Sequence, residues 1–122
     1  MKQKVHSVSY LAKAEFEFKN GVYDLVALPT GAEVVSVSLK VVKDEEIILS
    51  GSVGVGFGDK KNYFIYLKDS ISTNITFRSD QCYTATSNKV VVAEVSGSNG
   101  HDGAKGVLRV LYFLPSVIEV EY

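Results

Sequence analysis

Apolar and polar residues alternate along most of this chain. Val8, Tyr10, Ala12, Ala14, Phe16 and Phe18 fall on one side of a two-residue repeat, and Lys13, Glu15, Glu17 and Lys19 on the other. A period of two is the signature of a half-buried strand, whereas a helix would scatter these residues around its circumference. Asn20-Gly21 follows, a dipeptide that tolerates positive φ, and it predicts a tight hairpin into a return strand from Val22 to Leu28. Pro29, which cannot donate to a ladder, ends that strand. Val35, Val37, Leu39 and Val41 then define the core face of a strand between Glu33 and Lys43, opposite Ser36, Ser38 and Lys40.

After the charged turn Asp44-Glu45-Glu46, one face continues through Ile47, Leu49, Val53, Val55 and Phe57. Gly54, Gly56 and Gly58 occupy the other face, and a strand face without side chains predicts a close approach to its backbone. Tyr63 to Leu67 is a short apolar strand; Ile71, Thr73, Ile75 and Phe77 alternate again; a weaker strand is expected around Cys82 to Thr86. Val90 to Val95 and Val107 to Leu114 are apolar on nearly both faces, as strands deep in a sheet are. A ten-residue loop, Gly97 to Gly106, is expected between them, and Ile118, Val120 and Tyr122 close the chain as a final strand, one that would pair at a sheet edge within the subunit or across an oligomer. Nine or ten strands and no helix predict an all-β, single-domain antiparallel sandwich or barrel over residues 8–122. Residues 1–7, before the alternation settles, are expected to form an N-terminal arm.

Composition agrees with that reading. Nineteen of the 122 residues are valine, which favours strands because β-branched side chains pack well on a pleat. With 13 basic and 14 acidic side chains, the net charge of −1 offers no overall electrostatic pull on nucleic acid or an anionic membrane, so neither is expected as a partner. One cysteine, Cys82, leaves no internal disulfide. No signal-peptide core follows the basic N-terminal residues and no stretch is long enough to cross a bilayer, so synthesis in the cytoplasm is expected and the Asn74-Ile75-Thr76 sequon is expected to go unused.

The candidate chemistry is thin. Gly51 to Gly58 suggests a phosphate loop, but Asp59 stands where a P-loop has Lys followed by Ser or Thr, and no helix follows. His101-Asp102 lies in the glycine-rich loop and His6 near the N-terminus, with no nucleophile elbow and no metal-ligand spacing beside them. The acids sit in turns (Asp44, Glu45, Glu46, Asp59, Asp80) or alternate outward (Glu15, Glu17, Glu119, Glu121), without a facing pair. Tyr63, Phe64 and Tyr66, near Asp59 and Asn62, make the one dense aromatic group, which packs a strand or offers a stacking platform for a sugar. No catalytic, cofactor-binding or metal-binding residue is assigned, no cofactor is expected, and the protein reads as a non-enzyme.

The order of features carries a resemblance. Ala27-Leu28-Pro29-Thr30-Gly31-Ala32-Glu33-Val34 leads into a long strand, followed by Val53-Gly54-Val55-Gly56 and Tyr63-Phe64-Ile65. Later come Val90-Val91-Val92-Ala93-Glu94-Val95, a glycine-rich loop and Gly106-Val107-Leu108-Arg109-Val110-Leu111-Tyr112-Phe113. Over roughly residues 16 to 114 this resembles the β-sandwich structural proteins of tailed bacteriophages, in particular capsid cement (decoration) and head-fibre proteins. The resemblance implies a jelly-roll-like sandwich on the outer surface of the virion, a homotrimer that bridges and stabilises subunits of the major capsid protein. The alternative it leaves open is a carbohydrate- or receptor-binding module of a phage fibre. The family pattern transfers no individual binding residue.

Overall fold

The computed structural model describes residues 2–5, 8–98, 103–114 and 118–121, the first and last of these as paired strands only. Two antiparallel sheets carry the fold. One sets β2 (Val8–Glu17), β12 (Lys105–Leu114) and β4 (Glu33–Val42) side by side, with β9 (Thr76–Ser79) and β10 (Tyr83–Thr84) sharing the far edge of β4. The other runs β3 (Gly21–Leu28), β11 (Lys89–Ser96), β6 (Ser52–Gly56) and β7 (Ile65–Lys68). Short ladders join β5 (Ile48–Leu49) to β8 (Ile71–Ser72) and β1 (Lys2–Val5) to β13 (Ile118–Glu121). The core lies between the two sheets: Phe16, Phe18, Leu39, Val37 and Leu108 from the first meet Leu28, Val53, Val55, Val91 and Val95 from the second. This is an all-β sandwich, and the two runs expected to be apolar on both faces, β11 and β12, are indeed paired on both sides.

Several expectations change at the level of pairing. Asn20-Gly21 makes no hairpin: β2 pairs with β12 and β3 with β11, so the dipeptide carries the chain from one sheet to the other. The reason is burial, since Phe16 and Tyr23 face each other across the core with ring centroids 5.3 Å apart. Asn20 acts as a surrogate backbone group instead, its Oδ1 accepting from Ser98 N at 2.9 Å and its Nδ2 donating to Ser98 O at 3.5 Å. Val35, expected on the core face, is displaced by a register shift in the β4–β12 ladder that brings Val34 inward opposite Tyr112.

The run from Ile47 to Phe57 breaks at Gly51, where φ is +100° and a Cβ would lie 2.7 Å from the carbonyl oxygen of Ser96. Ile75 is exposed (51%) rather than in line with Ile71, because Asn74 adopts φ +62° and turns the chain. Asn74 N donates to Val41 O at 2.7 Å, and its side chain pairs with both Lys43 N and Lys43 O. Neighbouring Thr73 is buried, and its hydroxyl accepts from Ile47 N and faces the carbonyls of Glu45 and Ile47 at 3.1 and 3.2 Å. Together these two residues tie down the Asp44–Glu46 turn. Gly106, expected in a loop, is instead a strand position opposite Phe16, whose ring fills the space a Cβ would take.

Candidate interaction surfaces

The glycine face of β6 shows how one surface is closed. Turn residues 58–62 fold back over it, so that a Cβ on Gly54 would lie 2.8 Å from the Lys61 carbonyl oxygen. Phe57 N donates to Lys60 O and Lys60 N to Phe57 O, which fixes the turn. The close approach expected from the glycines is therefore made by the chain itself, and the glycine run is packing rather than a cradle for phosphate.

The same turn delivers the aromatic residues. Tyr63 and Phe64 pack with Phe57 and Tyr83, at centroid distances from 4.5 Å for Phe57–Tyr83 to 5.6 Å for Tyr63–Tyr83. The Tyr63 hydroxyl donates to Cys82 O and accepts from Gln81 Nε2. Tyr66 does not join them; it stands on the outer surface of the second sheet, 54% exposed, beside Gly54 and Glu94. The three aromatics of the sequence pattern thus divide between a packed cluster and a lone exposed ring. Cys82 is exposed, while His6, His101 and Asp102 lie outside the described residues. Among the described residues no group of three or more His, Cys, Asp or Glu side chains is arranged to hold a metal ion.

Two of the exposed surfaces among the described residues bear on contacts with other chains. The first is the free edge of β2 and its outer end, where Val8, Tyr10 and Leu11 are exposed and Tyr10 stacks on Tyr112 at 5.6 Å. The ladder does not stop there. Beyond the pair Val8 and Leu114, the same two chain segments pair again from Val5 and Ile118 to Lys2 and Glu121, in a ribbon that joins neither main sheet. An edge strand with unpaired backbone groups is an open template for another chain.

The second open surface is the outer face of the first sheet. Odd-numbered β2 and β12 residues point outward there, as do even-numbered β9 residues and the even-numbered β4 residues from Ser36 to Val42, so Lys13, Arg109, Ser38 and Arg78 lie in one row across four adjacent strands. Sequence reasoning missed this row. Its members are far apart in the chain, and only the strand register brings them together.

No family model and no curated protein matches the chain. Solved structures do. A chain in the acidic stable capsid structure of Helicobacter pylori bacteriophage KHP30 is 62% identical over 100% of both chains, with a TM-score of 0.84. A chain of the cyanophage Pam1 capsid asymmetric unit is 17% identical over 90% of this chain and 87% of that one, with a TM-score of 0.61. A chain of the capsid of Ralstonia phage GP4 is 14% identical over 92% and 88%, with a TM-score of 0.60. The latter two share the fold. Full-length identity with the first goes further: the chain belongs to the family of phage capsid proteins represented in the Helicobacter phage KHP30 shell, and its role is that of a virion structural protein.

Proposed function

We propose that this virion protein is a cement (decoration) protein, a non-enzymatic clamp on the outer surface of the capsid that bridges neighbouring subunits of the major capsid protein. The observation that carries the reading is the end-to-end similarity to a chain of a phage capsid. The architecture supports it. The strand orders β2-β12-β4-β9 and β3-β11-β6-β7, with the chain passing repeatedly between sheets, support a jelly-roll reading of the double-sheet body. A rigid body touching several shell subunits at once gains affinity through effective concentration, because each further contact is intramolecular after the first. We read the active form as a homotrimer, with the open β2 edge and its exposed Tyr10 and Leu11 available for contacts between copies. Residues 1–7 are proposed as an arm, and the pairing of β1 with β13 supports a two-stranded arm rather than a single one.

The test is addition of the purified protein to shells from a phage lacking its gene, followed by electron microscopy and a heat challenge. Saturable density on the outside of the shell and a raised temperature of capsid rupture are expected. Density confined to a tail fibre, or no binding, overturns the cement reading.

A further inference from the structure

We propose that the outer face of the β2-β12-β4-β9 sheet is a docking surface for an acidic segment of another protein of the shell, with Arg109 and Arg78 as its anchors. The identity of the partner rests on the cement reading; the chemistry of the surface does not. Five cations, Lys13, Lys40, Arg78, Lys105 and Arg109, share this face with three carboxylates, Glu15, Glu17 and, at the far end beside Thr84, Glu33, in a chain whose net charge is −1. Both arginines of the molecule are here. Lys13 stands 4.0 Å from Glu15, and among the described residues Lys40, Arg78, Lys105 and Arg109 have no ion-pair partner. Lys13 and Arg109 are direct cross-strand neighbours, and like charges placed opposite one another destabilise a sheet until an anion covers them.

Ser38 supplies an independent sign. It stands between Arg109 and Arg78 in the register, on the outward side of β4, yet it is only 8% exposed. Its hydroxyl has no hydrogen-bond partner among the described residues. A buried polar group normally finds a partner, and one left open between two arginines in the register is a group awaiting an acceptor. A carboxylate entering between the guanidiniums would accept from both and from the hydroxyl, with the fork geometry that suits arginine to carboxylates. A groove of about 480 Å³ opens from this row, lined by Lys13, Arg109, Lys40 and Lys105 and also by the carboxylates Glu15 and Asp44.

The occupant follows from what interrupts the cations. Glu15 and Glu17 would repel a phosphate backbone laid across the face, and Val42, Val107 and Leu111 offer it nothing. An acidic protein segment with interspersed basic and apolar residues matches all three kinds of position.

Two measurements test this. The first uses a fluorescein-labelled peptide of alternating Glu and Val, titrated with the protein by anisotropy. Arg78→Gln with Arg109→Gln should weaken binding at least about tenfold and Ser38→Ala about three- to fivefold. Lys60→Gln with Lys61→Gln, which removes the same charge from another face, should leave binding unchanged. The arginine pair should melt no lower than the wild type, since a repulsion has been relieved. Equal peptide binding by the arginine variant, or tighter wild-type binding to a duplex DNA of 20 base pairs than to the peptide, overturns the proposal. So does loss of self-association in the arginine variant, which would make the face an interface between copies. The second measurement repeats the variants on undecorated shells, where the arginine pair should lose occupancy and the lysine pair should not. If the wild type ignores the shells while the peptide results hold, the cement reading fails and the acidic-segment site stands.

Discussion

At Gly56 the chain has no room for a methyl group. A Cβ there would strike the Lys60 carbonyl, with Tyr63 N at 2.7 Å and Lys61 C at 2.9 Å, and all three are backbone atoms that cannot rotate away. Gly58, two residues on, has nothing within 4 Å of the same hypothetical atom. Gly56→Ala should therefore destabilise by about 1–3 kcal/mol, the range for overpacking a tight site, while Gly58→Ala stays within about 0.5 kcal/mol of the wild type. Thermal unfolding of the two variants side by side checks this, and equal melting temperatures would sink the packing account. Thr73 makes a second residue-scale case. Thr73→Val keeps the shape and the bond from its own N–H to Ile47 O, but leaves the part-buried Ile47 N without its acceptor and removes the hydroxyl from Glu45 O, so a loss of about 1–3 kcal/mol is expected. Thr73→Ser, which keeps the hydroxyl, should lose clearly less in the same denaturant titration.

Strands were legible in the sequence where one face is buried, because burial imposes the two-residue repeat directly on the residues. The long strands β2 and β4 fall close to where alternation put them, and β11 falls where a run apolar on both faces did. Pairing was not legible. Asn20-Gly21 has the chemistry of a hairpin turn, but two strands with apolar inner faces can satisfy them equally well by facing across a core. Gly106 was hidden for a related reason, since the need for a small residue comes from Phe16 on another strand. The cationic row failed to show for the same cause, being a product of register. At this scale Asn20→Ala should cost about 1 kcal/mol by removing both of its bonds to the Ser98 backbone, and should do so through unfolding of the β2–β3 connection. Faster hydrogen exchange at Ser98 and Gly21 is the measurement, and unchanged exchange would count against the arch. The terminal ribbon pairs with neither main sheet, so a chain of residues 8–115 should keep its melting temperature within about 5 °C, a change of about 1 kcal/mol, while binding shells less well.

For the molecule as a whole, the proposed trimer has a direct consequence. Its sedimented mass should be three times 13.3 kDa, and its melting temperature should rise with protein concentration, because association stabilises only the folded chain. A melting temperature independent of concentration over two decades would argue for a monomer. The core has a further property. Among the described residues the only buried polar side chains are Ser38 and Thr73, neither of which titrates, and both ion pairs, Lys13–Glu15 and Lys19–Glu17, are exposed. Acid unfolds most proteins by protonating carboxylates held in pairs or by charging buried histidines, and exposed pairs contribute little to begin with. From neutral pH to about pH 3.5 the melting temperature should therefore fall by only about 5 °C, or about 1 kcal/mol, and a much larger fall by calorimetry would refute the idea. A shell built from such parts would feel protons at its seams rather than in its bricks, so any acid-triggered loosening would begin where one subunit meets the next.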